Sequence, residues 1–169
     1  MNTLQGIDLT KLFNNESSYG KRFRFPAPTE AQIRRAEEKL GYKLSPSYRE
    51  LLSIQNGGII SDELSESWLT TIYGIAPEQD AENGLEEMFD NWRDEWEYPD
   101  IGIPFGETQS AGHDMYYMDY RVLNANGEPR IVRVDVEDMD DPKFYLVAPD
   151  LPAFLRLILA DEELRETPL

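Results

Sequence analysis

The chain has 169 residues, 40% of them hydrophobic and 11% aromatic, enough for one well-formed core and too apolar for a disordered segment. It has no cysteine, which excludes disulfides and thiolate metal sites, and no apolar run approaches the ~18 residues of a membrane span. The 16 Lys and Arg against 33 Asp and Glu give a net charge of -17, a field that repels nucleic acid and anionic membrane and favours basic partners.

The N-terminal stretch MNTLQGIDLTKLFNNESS lacks the basic start and apolar middle of a signal peptide. A cytoplasmic protein without a cofactor is the expectation. Charge is distributed unevenly. Residues 1–60 hold nine basic and six acidic groups, a net of +3, whereas residues 61–169 hold seven and twenty-seven, a net of -20.

Residues 1–27 carry weak periodicity and end in KRFRFPAP, which predicts an N-terminal arm with one short helix. The globular domain is expected over residues 28–169. Thr29 followed by Gln32 is a capping box, in which each side chain satisfies free N–H groups at a helix start. Ile33, Ala36 and Leu40 recur at helical spacing, and Gly41 supplies a left-handed stop. Ser45-Pro46 opens a second helix as N-cap and first-turn proline, with Tyr48, Leu51, Leu52 and Gln55 on one face.

Asn56-Gly57-Gly58 follows the second helix and raises the question of a phosphate cradle. Such cradles place glycines before a helix N-terminus, where N–H groups converge. These glycines follow a C-terminus, where carbonyls point outward and the dipole is negative. A corner that needs positive φ is therefore expected.

Trp68–Ile75 is β-branched and aromatic and predicts a strand. A helix is predicted from Gly84 to Trp96. At ~100° per residue, Leu85, Met88, Phe89, Trp92 and Trp96 share one stripe. Glu86, Glu87, Asp90, Asp94 and Glu97 share the opposite one. The last third reads as antiparallel sheet. Ile101–Phe105 and Asp114–Val122 are strands, Asn126-Gly127 is a tight-turn signal, and Val132, Val134 and Val136 alternate with Arg133 and Asp135. Phe144–Ala148 is a final strand, and Asp150 caps a helix bearing Leu151, Phe154, Leu155 and Ile158. The class is α+β, with a single mainly antiparallel sheet of about four to six strands and flanking helices.

The ordered series LGYKLSPSYRELLSIQNGG, Trp68-Leu69 with TIYGI, IPFGETQSAGHDMYYMDYR, GEPRIVRVDVED and FYLVAPDLPAFLRLIL resembles the SMI1/KNR4 family of the SUKH superfamily over about residues 28–160. The resemblance implies an α+β domain that binds rather than catalyses. Bacterial members of this superfamily are inferred to be immunity proteins that neutralise toxins, often nucleases. A fungal relative is an interaction protein in cell-wall signalling. No catalytic residues are carried over by it.

Residue chemistry offers several further sites. Ser110, His113 and Asp114 have the elements of a hydrolytic triad, but triads assemble through the fold rather than along a strand, and the G-x-S-x-G elbow is missing. His113 with Asp114 and Asp119 outlines a small-ligand pocket. One histidine is too few for zinc, and the acids of residues 135–141 lack the EF-hand spacing for calcium. Paired carboxylates abound, so counting them identifies no glycosidase pair.

The acidic helix is the sharper feature. Ten acids against one arginine lie between Glu78 and Asp100. Glu86, Glu87, Asp90, Asp94 and Glu97, with Tyr98 as an aromatic anchor, are the expected partner-binding set. A stripe of like charges mildly destabilises its own helix, yet suits the basic cleft of a toxin by opposite charge. Tyr116, Tyr117 and Tyr120 divide between core and interface. A cognate basic toxin is the expected partner; a small ligand near His113 or a signalling scaffold are the alternatives.

Overall fold

The computed structural model describes residues 2–169. Thr29 accepts the Gln32 N–H at 3.1 Å while Gln32 Oε1 accepts the Thr29 N–H at 3.0 Å, and helix α1 (Glu30–Leu40) begins there. Gly41, at φ 80°, closes it. Ser45 caps α2 (Pro46–Ile54), whose buried side, Tyr48, Leu51 and Leu52, faces the core.

The corner after α2 is specified by its side chains as well as by glycine. Gly57 takes φ 85°, and a Cβ there would lie 2.2 Å from the Phe23 carbonyl and 2.7 Å from the Gly74 nitrogen. Buried Asn56 donates to the carbonyls of Pro26 and Ile75, both at 2.7 Å, and accepts the Ile75 N–H at 2.7 Å. One amide therefore ties the arm, the corner and the end of a strand together.

From this corner runs a sheet in which every strand pairs antiparallel with its sequence neighbour: β1 (Gly58–Ile59), β2 (Leu69–Ile72), β3 (Gly102–Thr108), β4 (Asp114–Leu123), β5 (Pro129–Asp135), β6 (Lys143–Ala148) and β7 (Thr167–Pro168). The α+β class with one antiparallel sheet stands, with seven strands in place of four to six. β1 and β7 have two residues each, too short to leave a period in the sequence. Helix α3 (Leu85–Asp90) interrupts the meander, and α4 (Leu151–Ala160) follows β6.

β2 is shorter than the predicted Trp68–Ile75 strand. Trp68 stands outside it at φ 62° and is 61% exposed. Asn126-Gly127 does form a turn, with Gly127 at φ 77° and its N–H donating to the Asn124 carbonyl at 3.0 Å. The hairpin end carries Glu128, which accepts the Ser47 N–H at 2.8 Å and the Ser47 hydroxyl at 2.5 Å. A carboxylate at the start of α2 satisfies N–H groups that the helix leaves free.

β4 is covered on both faces. On one, Tyr116 meets Phe154 of α4 at 5.0 Å, and Phe105 links Phe154 to Tyr48 of α2. On the other, Tyr117 stacks on Tyr98 at 5.9 Å. Arg133, expected on a wet face, lies beside Tyr116 under the C-terminal segment, where it pairs with Asp114 at 3.0 Å and Glu166 at 2.8 Å. The described part of the arm, residues 2–27, forms two three-residue 3-10 turns, Leu9–Lys11 and Gly20–Arg22, instead of one short helix. Its Leu4, Leu12, Phe13 and Phe23 join the same core, and single bridges Phe13–Ile60 and Phe25–Asn56 lay it along the β1 edge.

Candidate functional site

The acidic helix begins as α3 and continues as a π-turn over Asn91–Glu95, so the stretch Gly84–Trp96 is helical as expected but widens at its end. The wider turn carries Trp92 inward and leaves Trp96 half-buried against it, ring centres 5.5 Å apart. Glu97 then takes φ 55° and ends the helix exposed to solvent.

Glu87, Asp90, Asp94 and Glu95 line a shallow cavity of about 320 Å³ together with Asp80, and Lys39 of α1 is its one cation. Lys39 and Arg93 both bind Asp90, at 2.7 and 2.9 Å, and Arg93 also binds Asp94 at 2.9 Å. These contacts offset the like-charge penalty of the stripe. The Arg93 guanidinium beside Asp94 holds that carboxyl below its ordinary range.

Two residues expected on this surface are not on it. Glu86 is 2% exposed and pairs with Arg35 of α1, Nη2 to Oε1 at 2.5 Å. The same guanidinium donates to the carbonyls of Pro77 at 2.6 Å and Ala76 at 2.8 Å. The helical wheel places Glu86 with the outer acids, but α1 packs over that sector. Tyr98 is 3% exposed, donates to the Gly112 carbonyl at 2.6 Å and stacks on Tyr117. Burial pushes its hydroxyl pKa up. It is a core residue, not an interface anchor.

The expected pocket at His113, Asp114 and Asp119 does not assemble. His113 is exposed on the turn before β4, its ring 6.4 Å from Trp96 in an edge contact. Asp114 points instead to Arg133 and the Thr108 hydroxyl. Ser110 Oγ accepts the Asp114 N–H at 2.9 Å, so the three triad elements are not aligned. Asp119 lies five residues along β4, about 17 Å away at strand rise. It is buried between Arg121 at 2.9 Å and Arg130 at 2.8 Å. Burial alone would raise its pKa, but the bonds from the two arginines outweigh it and hold it below the ordinary value. Among the described residues, no three His, Asp or Glu side chains are grouped to hold a metal ion.

Sequence reasoning missed Glu107. It belongs to a second cavity, of about 430 Å³, between the β1–β2 edge and the turn of residues 61–65. Tyr73 donates its hydroxyl to Glu107 Oε1, and the Trp92 indole N–H donates to that same hydroxyl at 2.8 Å. Burial raises the Glu107 pKa above its ordinary value, and the Tyr73 bond only partly opposes this. Trp68 adjoins the cavity. Its N–H donates to the Ser65 carbonyl at 3.2 Å and its own carbonyl accepts the Gln109 N–H at 3.1 Å, and both partners line the cavity. No periodic signal marks either residue, because both depend on contacts between separate strands.

Among the described residues, no helix is long and apolar enough to cross a membrane. No curated protein matches the chain. The model of the SMI1 / KNR4 family (SUKH-1) matches residues 27–157, which span α1 through most of α4. Members of that family are typically immunity proteins against polymorphic toxins. With its ordered helical hairpin, glycine corner and antiparallel meander, this chain belongs to the SMI1/KNR4 (SUKH-1) family.

Proposed function

We propose that the chain is a non-catalytic immunity protein of the cytoplasm that neutralises a cognate toxin by covering a basic, nuclease-type active cleft. The observation that carries this reading is the acidic cavity of α3, where five carboxylates gather around a single lysine. Asp94 pairs only with the exposed Arg93, and no ion pair holds Glu87 or Glu97 among the described residues, so a partner's lysines and arginines meet this charge at little cost in broken contacts. A long-range field of net -20 over residues 61–169 speeds the encounter and favours a basic partner.

The test is to express any toxin domain found among the genes adjoining this one and to measure neutralisation as survival on co-expression and as binding at rising salt. Binding should fall steeply with ionic strength and fall further in the double variant Glu87→Lys, Asp94→Lys. Protection unchanged by the reversal would refute the acidic-helix mechanism.

A further inference from the structure

We infer that the cavity beneath Glu107 is a receptor for an arginine side chain presented by the protein partner. This deepens the proposed binding function and rests on it, but it does not use the acidic helix.

Buried carboxylates elsewhere in this fold all have compensating partners. Among the described residues four acids are buried: Glu37, Glu86, Asp119 and Glu128. Each is compensated, Glu37 by the Leu44 N–H at 2.9 Å and Lys43, Glu86 by Arg35, Asp119 by Arg121 and Arg130, Glu128 by the start of α2. Glu107 is drawn partly beneath the surface with only a phenol for a partner. Among the described residues its Oε2 receives no hydrogen bond, and no lysine, arginine or histidine lines the cavity it borders. A half-desolvated carboxylate without a cation is costly in the free protein. A positive charge arriving from outside removes that cost, which is a difference between free and bound states that binding can use.

The geometry around Glu107 is fixed in advance. Tyr73 holds Oε1, Trp92 holds Tyr73, and Thr70 anchors the strand by donating its hydroxyl to the Glu107 carbonyl at 3.2 Å. Little ordering is left for the partner to supply. The cavity volume of about 430 Å³ compares with ~30 Å³ for a water molecule, leaving room for a full side chain. Its walls combine Ile59, Leu64 and Leu69 with a second carboxylate, Asp62. That mixture matches a long side chain with an apolar stem and a charged head.

The shape of the head group favours arginine over lysine. A planar guanidinium presents five N–H donors in a fixed fork that matches a carboxylate, whereas an ammonium is a compact point charge.

The experiment uses the intact chain and a blocked glycine–arginine–glycine peptide, with the citrulline peptide as its neutral isostere. Amide shifts of Thr70, Thr71 and Gln109 are followed at constant ionic strength. The expected result is a saturable response to arginine, none to citrulline, and an affinity about tenfold or more lower in Glu107→Gln. Glu107→Asp keeps the charge but withdraws it by one methylene, and should also lose affinity. The double variant Asp138→Asn, Asp140→Asn, at two exposed acids outside both surfaces, should bind as wild type does. Equal binding in Glu107→Gln, or unchanged binding in Glu107→Asp, would overturn the proposal, because attraction by the acidic field alone would then suffice. No toxin is involved, so a failure here leaves occlusion through the acidic helix intact, and a failure of toxin neutralisation leaves the peptide result intact.

Discussion

Arg35 and Glu86 lie 51 positions apart and join α1 to α3 through a buried guanidinium–carboxylate pair, Nε to both carboxylate oxygens at 3.2 Å. The pair sits behind the acidic surface rather than on it, and it fixes where that surface stands. Removing the carboxylate strands a guanidinium that is three-quarters covered, yet it keeps its bonds to Pro77 and Ala76. Glu86→Gln should therefore lower stability by about 2 kcal/mol in urea unfolding, the size of a lost charge-assisted hydrogen bond and less than a fully broken buried pair. Glu97→Gln, at an exposed position, should leave the urea midpoint in place. Equal behaviour of the two variants would show that the pair contributes nothing.

Glu107 makes stability depend on pH with a definite sign. Burial raises its folded-state pKa above the unfolded value. The carboxyl therefore contributes its full stability below the ordinary carboxylate range, and that contribution is lost as pH rises through the raised pKa. Glu107→Gln is neutral throughout and keeps an oxygen for the Tyr73 hydroxyl. Its melting temperature relative to wild type should rise as pH climbs from the ordinary carboxylate range through the raised pKa, then stay level. A difference that does not vary with pH would contradict the burial of this group.

The corner after α2 separates two kinds of glycine. Gly57→Ala adds a Cβ against the Phe23 carbonyl at positive φ and should cost ~3 kcal/mol or more. Gly127→Ala, also at positive φ but with nothing within 4 Å, should cost about 1 kcal/mol. Chemical denaturation of both variants measures the contrast.

Asn56 should be nearly as sensitive as Gly57. Asn56→Ala leaves the Ile75 N–H and the Pro26 and Ile75 carbonyls without a partner, an expected loss of about 3 kcal/mol. Faster amide exchange around Phe25 and Ile75 should accompany it, since the amide holds the arm to the sheet. Slow exchange at both positions in the variant would show that the arm is held by its apolar contacts alone.

Charge on the acidic helix divides into fixed and free parts. Asp90 already binds Lys39 and Arg93, so Asp90→Lys disturbs the α1–α3 packing as well as any partner contact. Glu87→Lys, with no such bond, should weaken toxin binding and its salt dependence without shifting the thermal midpoint. If Glu87→Lys binds at full strength and Asp90→Lys does not, the helix acts through its fold and not through its field.

Local signals were legible because their causes lie within a few residues. The Thr29–Gln32 box, the Gly41 stop, the Ser45-Pro46 start, the Asn126-Gly127 turn and the Asp150 cap each rest on hydrogen bonds or dihedrals spanning four positions or fewer. The five ordered motifs also carried the family resemblance, and with it the expectation of a binding domain. Tertiary contact decided which chemical groups reach the surface. The period of a helix shows that Glu86 and Glu87 leave the core stripe, but not that α1 covers one of them. A run of tyrosines shows that β4 is aromatic, but not that Tyr98 covers Tyr117. Glu107 and Trp68 have no local signature, because partial burial and exposure are properties of the cavity between β1, β2 and β3. The sequence by itself determined the fold and the sign of the charge, since both are sums over local preferences and composition. Only the tertiary structure decided which carboxylates are paired and which stay open, because ion pairs join residues that the chain keeps far apart.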